Sequence, residues 1–275
     1  MTPTYQLVAM DLDGTLVGED LSLSPRVRRA LARAARGIRL TLASGRGYPA
    51  LRPWAQELGL TTPLICYQGA IVADPLHGTI LYRRTFPQAL VREVNAWARQ
   101  RDLSLTFYAD DAIYVERKRH TDAFYAKWFG LPYHLVTDLP KELPAEPVKF
   151  IIIGEGAELD ALQPELERDF QGRLQIVRSH RFFLEGLAPG VSKGSALAWL
   201  AERLGIPRQA VMAIGDSGND REMIAWAGLG VAMGNASPEA KEVADYVAPS
   251  VEHDGAAEAL ERFCLEGRDD GKDGA

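Results

Sequence analysis

The chain has 275 residues, 47% of them hydrophobic, with 31 Lys and Arg against 37 Asp and Glu for a formal net charge of −6. That content fills a sizeable core in one large or two smaller domains and excludes a wholly disordered chain. The acidic balance argues against a broad nucleic-acid-binding surface, so an anionic ligand has to be drawn in locally.

Residues 1–6 carry no basic stretch and the first apolar run stops at Asp11, so neither a signal peptide nor a membrane anchor is expected. No apolar stretch approaches bilayer length. Two cysteines, Cys66 and Cys264, are too few for a disulfide framework and fit a reducing cytoplasm.

In chain order, residues 6–10 read as a buried strand. Ser24-Pro25 opens a helix running to Gly37, a strand spans 39–43, Gly59 ends a second helix, and 63–67 reads as a third strand. From 84 to 187 the rhythm changes to a helix followed by paired strands, twice over. The first set is a helix at 87–101 with strands at 103–108 and 112–116 around an Asp110-Asp111 turn; the second is a strand at 148–154, a helix at 157–170 and strands at 174–178 and 182–187. The first rhythm then returns: a helix over 195–204 stopped by Gly205-Ile206-Pro207, a strand at 210–214, a helix at 221–227, a short strand near Val231 and a helix opened by Ser237-Pro238. Alternating strands and helices predict a parallel sheet covered on both faces. The expected division is therefore 1–83 and 188–266 for an α/β core, 84–187 for an inserted α+β domain, and 267–275, made of Gly, Ala and charged residues, for a frayed tail.

Four short motifs fall at strand ends or helix starts. Asp11-Leu12-Asp13-Gly14-Thr15 sets two carboxylates on one side of an extended chain, the geometry a metal-assisted phosphoryl transfer needs: one carboxylate to attack and help hold a cation, the other to carry the proton. An EF-hand also begins Asp-x-Asp, but it requires Gly and Glu where this chain has Leu16 and Ser22. Gly215-Asp216-Ser217-Gly218-Asn219-Asp220 can turn two more carboxylates toward one cation. Ser44-Gly45-Arg46 offers a hydroxyl and bare backbone N–H groups, and Ser192-Lys193-Gly194 offers a cation; together they are the parts of an anion cradle. In a doubly wound sheet the Asp11 and Asp216 loops become neighbours where the strand order reverses.

These motifs, in this order, resemble the haloacid dehalogenase superfamily of phosphatases. Three further stretches, 190–197, 231–236 and Asp254-Gly255, resemble its Cof-type branch, subfamily IIB with a C2-type cap. The resemblance implies a doubly wound, Rossmann-like parallel core with an inserted α+β cap, and Asp11 as a nucleophile that forms an aspartyl phosphate. It implies Asp13 as general acid and then base, and Mg²⁺ held by Asp11, the Asp13 carbonyl and Asp216, with Asp220 in or just behind that shell. Ser44, Gly45, Lys193 and Asn219 would hold the phosphoryl oxygens, with Arg46 beside them. Gln68 and Val251 depart from the branch, which usually carries Asn at the first position and often at the second.

The function implied is hydrolysis of a small soluble phosphate monoester in the cytoplasm, sugar phosphates first and phosphorylated cofactors next, with no nucleic-acid, membrane or obligate protein partner. A phosphomutase on the same scaffold and a non-catalytic phosphometabolite-binding protein are the alternatives. Dehalogenation is disfavoured because it leaves Asp13 and Asp216 without a use. Specificity is expected from cap residues including Arg117, Lys118, Arg119, His120, Trp128, Tyr133, His134, Arg178, His180 and Arg181.

Overall fold

The computed structural model describes residues 5–266; the expected tail at 267–275 lies outside them. Among the described residues, a five-stranded parallel sheet runs in the order Tyr246–Val247, Leu229–Ala232, Val211–Gly215, Leu7–Met10, Arg39–Leu42. Its strands are short and apolar because both faces are covered. Val8, Met10, Leu40 and Ile214 pack on one side with Val27, Leu31, Ala257 and Leu260 from helices Pro25–Ala34 and Gly255–Leu260. Leu7, Ala9, Val211 and Ala213 pack on the other with Leu197, Leu200 and Met223 from helices Lys193–Arg203 and Arg221–Trp226. Alternate residues of one strand thus feed two separate cores.

The chain order reverses between Leu7–Met10 and Val211–Gly215, which pair in parallel from Leu7 with Val211 to Met10 with Ile214. The crevice beyond their carboxyl ends is therefore the switch point at which such sheets bind ligands.

A second, six-stranded sheet has the order Gln175–His180, Phe183–Leu187, Lys149–Ile153, Leu105–Ala109, Ala112–Val115, Tyr133–Leu135. It is antiparallel except for its last pair. Helices Gln88–Gln100 and Gly156–Asp169 bring Val91, Val94, Leu159 and Leu166 into its core with Phe107 and Phe150.

Two expectations need correction. The strand near residue 65 does not extend the parallel sheet: Leu64–Cys66 pairs antiparallel with Ile71–Ala73, which pairs with Ile80–Arg83. A single Ala43–Ile65 bridge links it to the parallel sheet. The cause is the turn that follows, where Tyr67 (φ 52°), Gln68 (φ 60°) and Gly69 (φ 96°) all adopt left-handed backbone and send the chain back. The inserted region also holds a helix, Asp122–Phe129, and a strand, Tyr133–Leu135, whose aromatic and charged residues carry no clear periodicity.

Candidate active site

The first loop begins where Leu7–Met10 ends. Asp11 is 5% exposed, and its N–H donates to the Ile214 carbonyl (3.0 Å), which fixes it beside the neighbouring strand. The chain then doubles back: Gly14 N–H reaches Val17 O at 2.8 Å with Gly14 at φ 83°. A Cβ on Gly14 would overlap the Asp216 carboxylate, so the turn brings bare backbone against the second acidic loop. Thr15 Oγ1 donates to Asp216 Oδ1 at 2.9 Å, a contact the sequence reading missed.

Asp216 follows strand Val211–Gly215, and a short turn at Gly218–Asp220 folds Asp220 back beneath it. Asp220 Oδ2 accepts the N–H groups of Asp216 and Ser217, both at 3.0 Å. Its Oδ1 takes the Lys193 ammonium at 2.6 Å. Lys193 stands at the start of a helix capped by Ser192 and Ser195, its side chain only 1% exposed, and also donates to Asp11 Oδ1 at 2.7 Å. At the first position of its helix, Lys193 is a buried bridge between carboxylates from two loops.

Ligand oxygens of Asp11, Asp216 and Asp220 lie within 4.8 Å of one another. Crowding has an electrostatic signature. Burial, then Asp220, pushes the Asp216 carboxyl up to about 7. Burial also raises Asp11 well above the ordinary carboxylate range, against the pull of Lys193 and with the help of Asp220, Asp216 and Asp13. Burial alone would lower the Lys193 ammonium, but Asp11 and Asp220 outweigh it and raise it. An all-oxygen, charge-crowded set of this kind fits a small hard cation. Asp11 and Asp216 suit direct contact, whereas both oxygens of Asp220 already accept hydrogen bonds, which suits support from behind.

The loop after Arg39–Leu42 carries Ser44, Gly45 and Arg46. Ser44 is 2% exposed, and its Oγ accepts the Arg46 N–H at 3.2 Å. Arg46, expected among the anion-holding residues, grips Asp13, Nε to Oδ2 at 2.8 Å and Nη2 to Oδ1 at 2.6 Å. Asn219 Nδ2 donates to Gln68 Oε1 at 3.0 Å. The Val251 departure loses nothing at this point, because it is the Val251 backbone N–H that binds Asn235 Oδ1 (2.9 Å), while Asn235 Nδ2 ties Gly14 O at 2.8 Å.

Several cap cations are engaged within the second sheet and its loops. Arg117 and Arg119 both pair with Asp102, Lys118 pairs with Asp122, and Arg178 bonds the Arg181 carbonyl at 2.8 Å. The His180 imidazole is pushed below its ordinary range by burial first and then by Arg181 and Arg178, with Asp13 and Glu19 pulling the other way.

A family model described as haloacid dehalogenase-like hydrolase matches residues 8–260. The chain belongs to that family. Among its relatives, the HMP-PP phosphatase of Serratia proteamaculans (strain 568) is 34% identical over 241 residues, 87% of either chain. The crystal structure of a haloacid dehalogenase-like hydrolase from Bacteroides thetaiotaomicron is 34% identical, has a TM-score of 0.83, and matches 94% of this chain and 99% of its own. A subclass IIB sugar phosphatase of the same superfamily, 24% identical over 94% of this chain and 98% of its own, shares the fold with a TM-score of 0.80. The chain is a haloacid dehalogenase-type phosphatase whose parallel core and additional cap sheet are those of its relatives. Among the described residues no helix is long and apolar enough to cross a membrane.

Proposed function

We propose that this phosphatase is Mg²⁺-dependent, acts on small soluble phosphate monoesters, sugar phosphates foremost, and works through an aspartyl phosphate on Asp11. The observation that carries the reading is Lys193 held between Asp11 (2.7 Å) and Asp220 (2.6 Å), beside Asp216, at the end of the central strands. An Asp11 oxygen attacks phosphorus as the bond to the leaving oxygen breaks, and Asp13 delivers the proton to that oxygen. Asp13 then takes a proton from water, whose oxygen attacks phosphorus and releases Asp11 and inorganic phosphate. Lys193 neutralises charge on Asp11 and on the phosphoryl oxygens, Asp220 orients Lys193, and Ser44, Gly45 and Asn219 hold the remaining oxygens. Asp11, Asp216 and the Asp13 carbonyl would hold Mg²⁺, which when bound would supply the further positive charge that lets one anion approach another.

Residues 84–187 form the cap, and the chain works in the cytoplasm, where its two buried cysteines, Cys66 and Cys264, stay reduced. A phosphorylated heteroaromatic ring is the second substrate class. Trp128 lies 4.7 Å from His180, at the end of strand Gln175–His180, and the Serratia relative is named for a phosphatase of HMP-PP.

The deciding experiment is a panel of phosphate monoesters followed by phosphorus NMR, in excess chelator and then with Mg²⁺. Inorganic phosphate appearing only with Mg²⁺, and not at all in Asp11→Asn, is the expected result. An isomerised hexose phosphate would make the chain a mutase, and binding without turnover would make it a sensor.

A further inference from the structure

A buried ion pair lies outside the carboxylate cluster. Lys149 and Glu185, on adjacent antiparallel strands of the cap sheet, are each 3% exposed in their side chains and 2.6 Å apart. Glu185 faces Ile151 and Leu187 faces Lys149 across the ladder, so the two charges are diagonal neighbours on one face of the sheet. Lys149 Nζ donates onward to the Gly45 carbonyl at 3.0 Å and sits 4.7 Å from the Tyr108 ring centre. Glu185 Oε1 accepts from Ser179 Oγ and from Gln68 Nε2, the latter at 3.2 Å. Gln68 Oε1 accepts from Asn219 Nδ2 at 3.0 Å.

Two of these links, Lys149 to Gly45 and Glu185 through Gln68 to Asn219, end on loops assigned above to the phosphoryl group. We infer that Lys149 and Glu185 are positioning residues: seated on the core, they set the Gly45 peptide directly and Asn219 through Gln68. This rests on the reading that Ser44, Gly45 and Asn219 hold the phosphoryl oxygens.

Apolar side chains would seat a cap with less desolvation cost than a buried cation and anion, so the charges call for a use beyond adhesion. The Gly45 carbonyl and Arg46 N–H share one planar peptide; drawing the carbonyl to Lys149 turns the N–H away from it, toward Ser44 Oγ. Gln68 is 2% exposed and held in left-handed backbone (φ 60°, ψ 21°), conformational strain of the kind kept where a side chain must be aimed. The departure at position 68 gains a purpose here, because the longer amide spans from Asn219 to the cap.

The experiment uses the full chain with Mg²⁺. Lys149→Met/Glu185→Gln removes both charges together, so that neither is left buried alone, and Gln68→Asn shortens the amide with the pair intact. Glucose 6-phosphate and p-nitrophenyl phosphate are compared as substrates, inorganic phosphate as inhibitor, with melting temperature in parallel. In both variants kcat/KM is expected to fall about 10- to 100-fold, by the same factor for both substrates, while phosphate inhibition weakens. Two results would overturn the inference: a fall confined to one substrate, which makes the pair a reader of the leaving group, or unchanged kinetics with a lower melting temperature, which makes it scaffold. Asn219→Ala is the reference. If it leaves phosphate inhibition untouched, the phosphoryl-holding assignment fails; if it weakens inhibition while the other variants do not, the positioning role alone fails.

Discussion

Arg46 holds Asp13 in a two-point grip, 2.8 and 2.6 Å, although Asp13 stands 45% exposed in its side chain. A forked pair of this kind fixes the plane of the carboxylate and hence, in the mechanism proposed above, the direction in which its proton would travel. Arg46→Met is therefore expected to lower kcat about 10-fold for an alkyl phosphate, whose leaving oxygen needs protonation, and much less for p-nitrophenyl phosphate. Equal losses on both substrates would assign Arg46 to the phosphate instead.

Removing Lys193 touches both chemistry and folding. Lys193→Ala is expected to cut kcat by about 100- to 1,000-fold, as loss of one preorganised donor does. It also leaves Asp11 and Asp220 buried without their shared cation, a loss of about 3–5 kcal/mol read from urea unfolding. Lys193→Arg should recover little, since a planar fork does not fit the point between two carboxylates that the ammonium occupies. A stable Lys193→Ala protein with near-normal turnover would refute both halves.

Divalent cation should stabilise the protein. Asp216 is pushed up to about 7 by burial and by Asp220, and a bound cation relieves that repulsion. At 100 times its dissociation constant, Mg²⁺ is expected to add about 2.7 kcal/mol, seen as a melting temperature several degrees higher. Asp216→Asn should abolish most of that rise, and an unchanged rise would take Asp216 out of the cation site.

Gly14→Ala tests the close approach of the two acidic loops. The new Cβ meets left-handed strain at φ 83° and the Asp216 carboxylate at once. A loss of about 1–3 kcal/mol is expected, together with weakened Mg²⁺ stabilisation, both read from thermal melts.

The alternation of strands and helices made the parallel core legible, because apolar strands buried on both faces carry their own signature. The family was legible from Asp11, Asp13, Lys193 and Asp216, whose motifs stand where strands end or a helix starts. What escaped depends on tertiary contact. Nothing local in Ser44-Gly45-Arg46 tells that Arg46 turns to Asp13, and nothing near Thr15 points to Asp216, 201 residues away. Lys149 and Glu185 did leave a trace, a charge set into each of the strands Lys149–Ile153 and Phe183–Leu187, which are otherwise apolar or glycine. A buried charge in an apolar strand is costly without a partner, and that cost was the available signal.

The place of Leu7–Met10 between two other strands of the parallel sheet also sets the order of events during synthesis. One of its neighbours, Arg39–Leu42, follows closely, but the other, Val211–Gly215, belongs to the last third of the chain. At about 5–20 residues per second, a ribosome needs roughly 10–40 s to supply it. Over that interval the nascent chain displays an open apolar edge, the feature most prone to pairing with a wrong neighbour. The six-stranded sheet, drawn from one continuous stretch between residues 105 and 187, has all its partners before then. The catalytic centre, built where the two late-meeting strands end, is thus among the last parts of the molecule that can form.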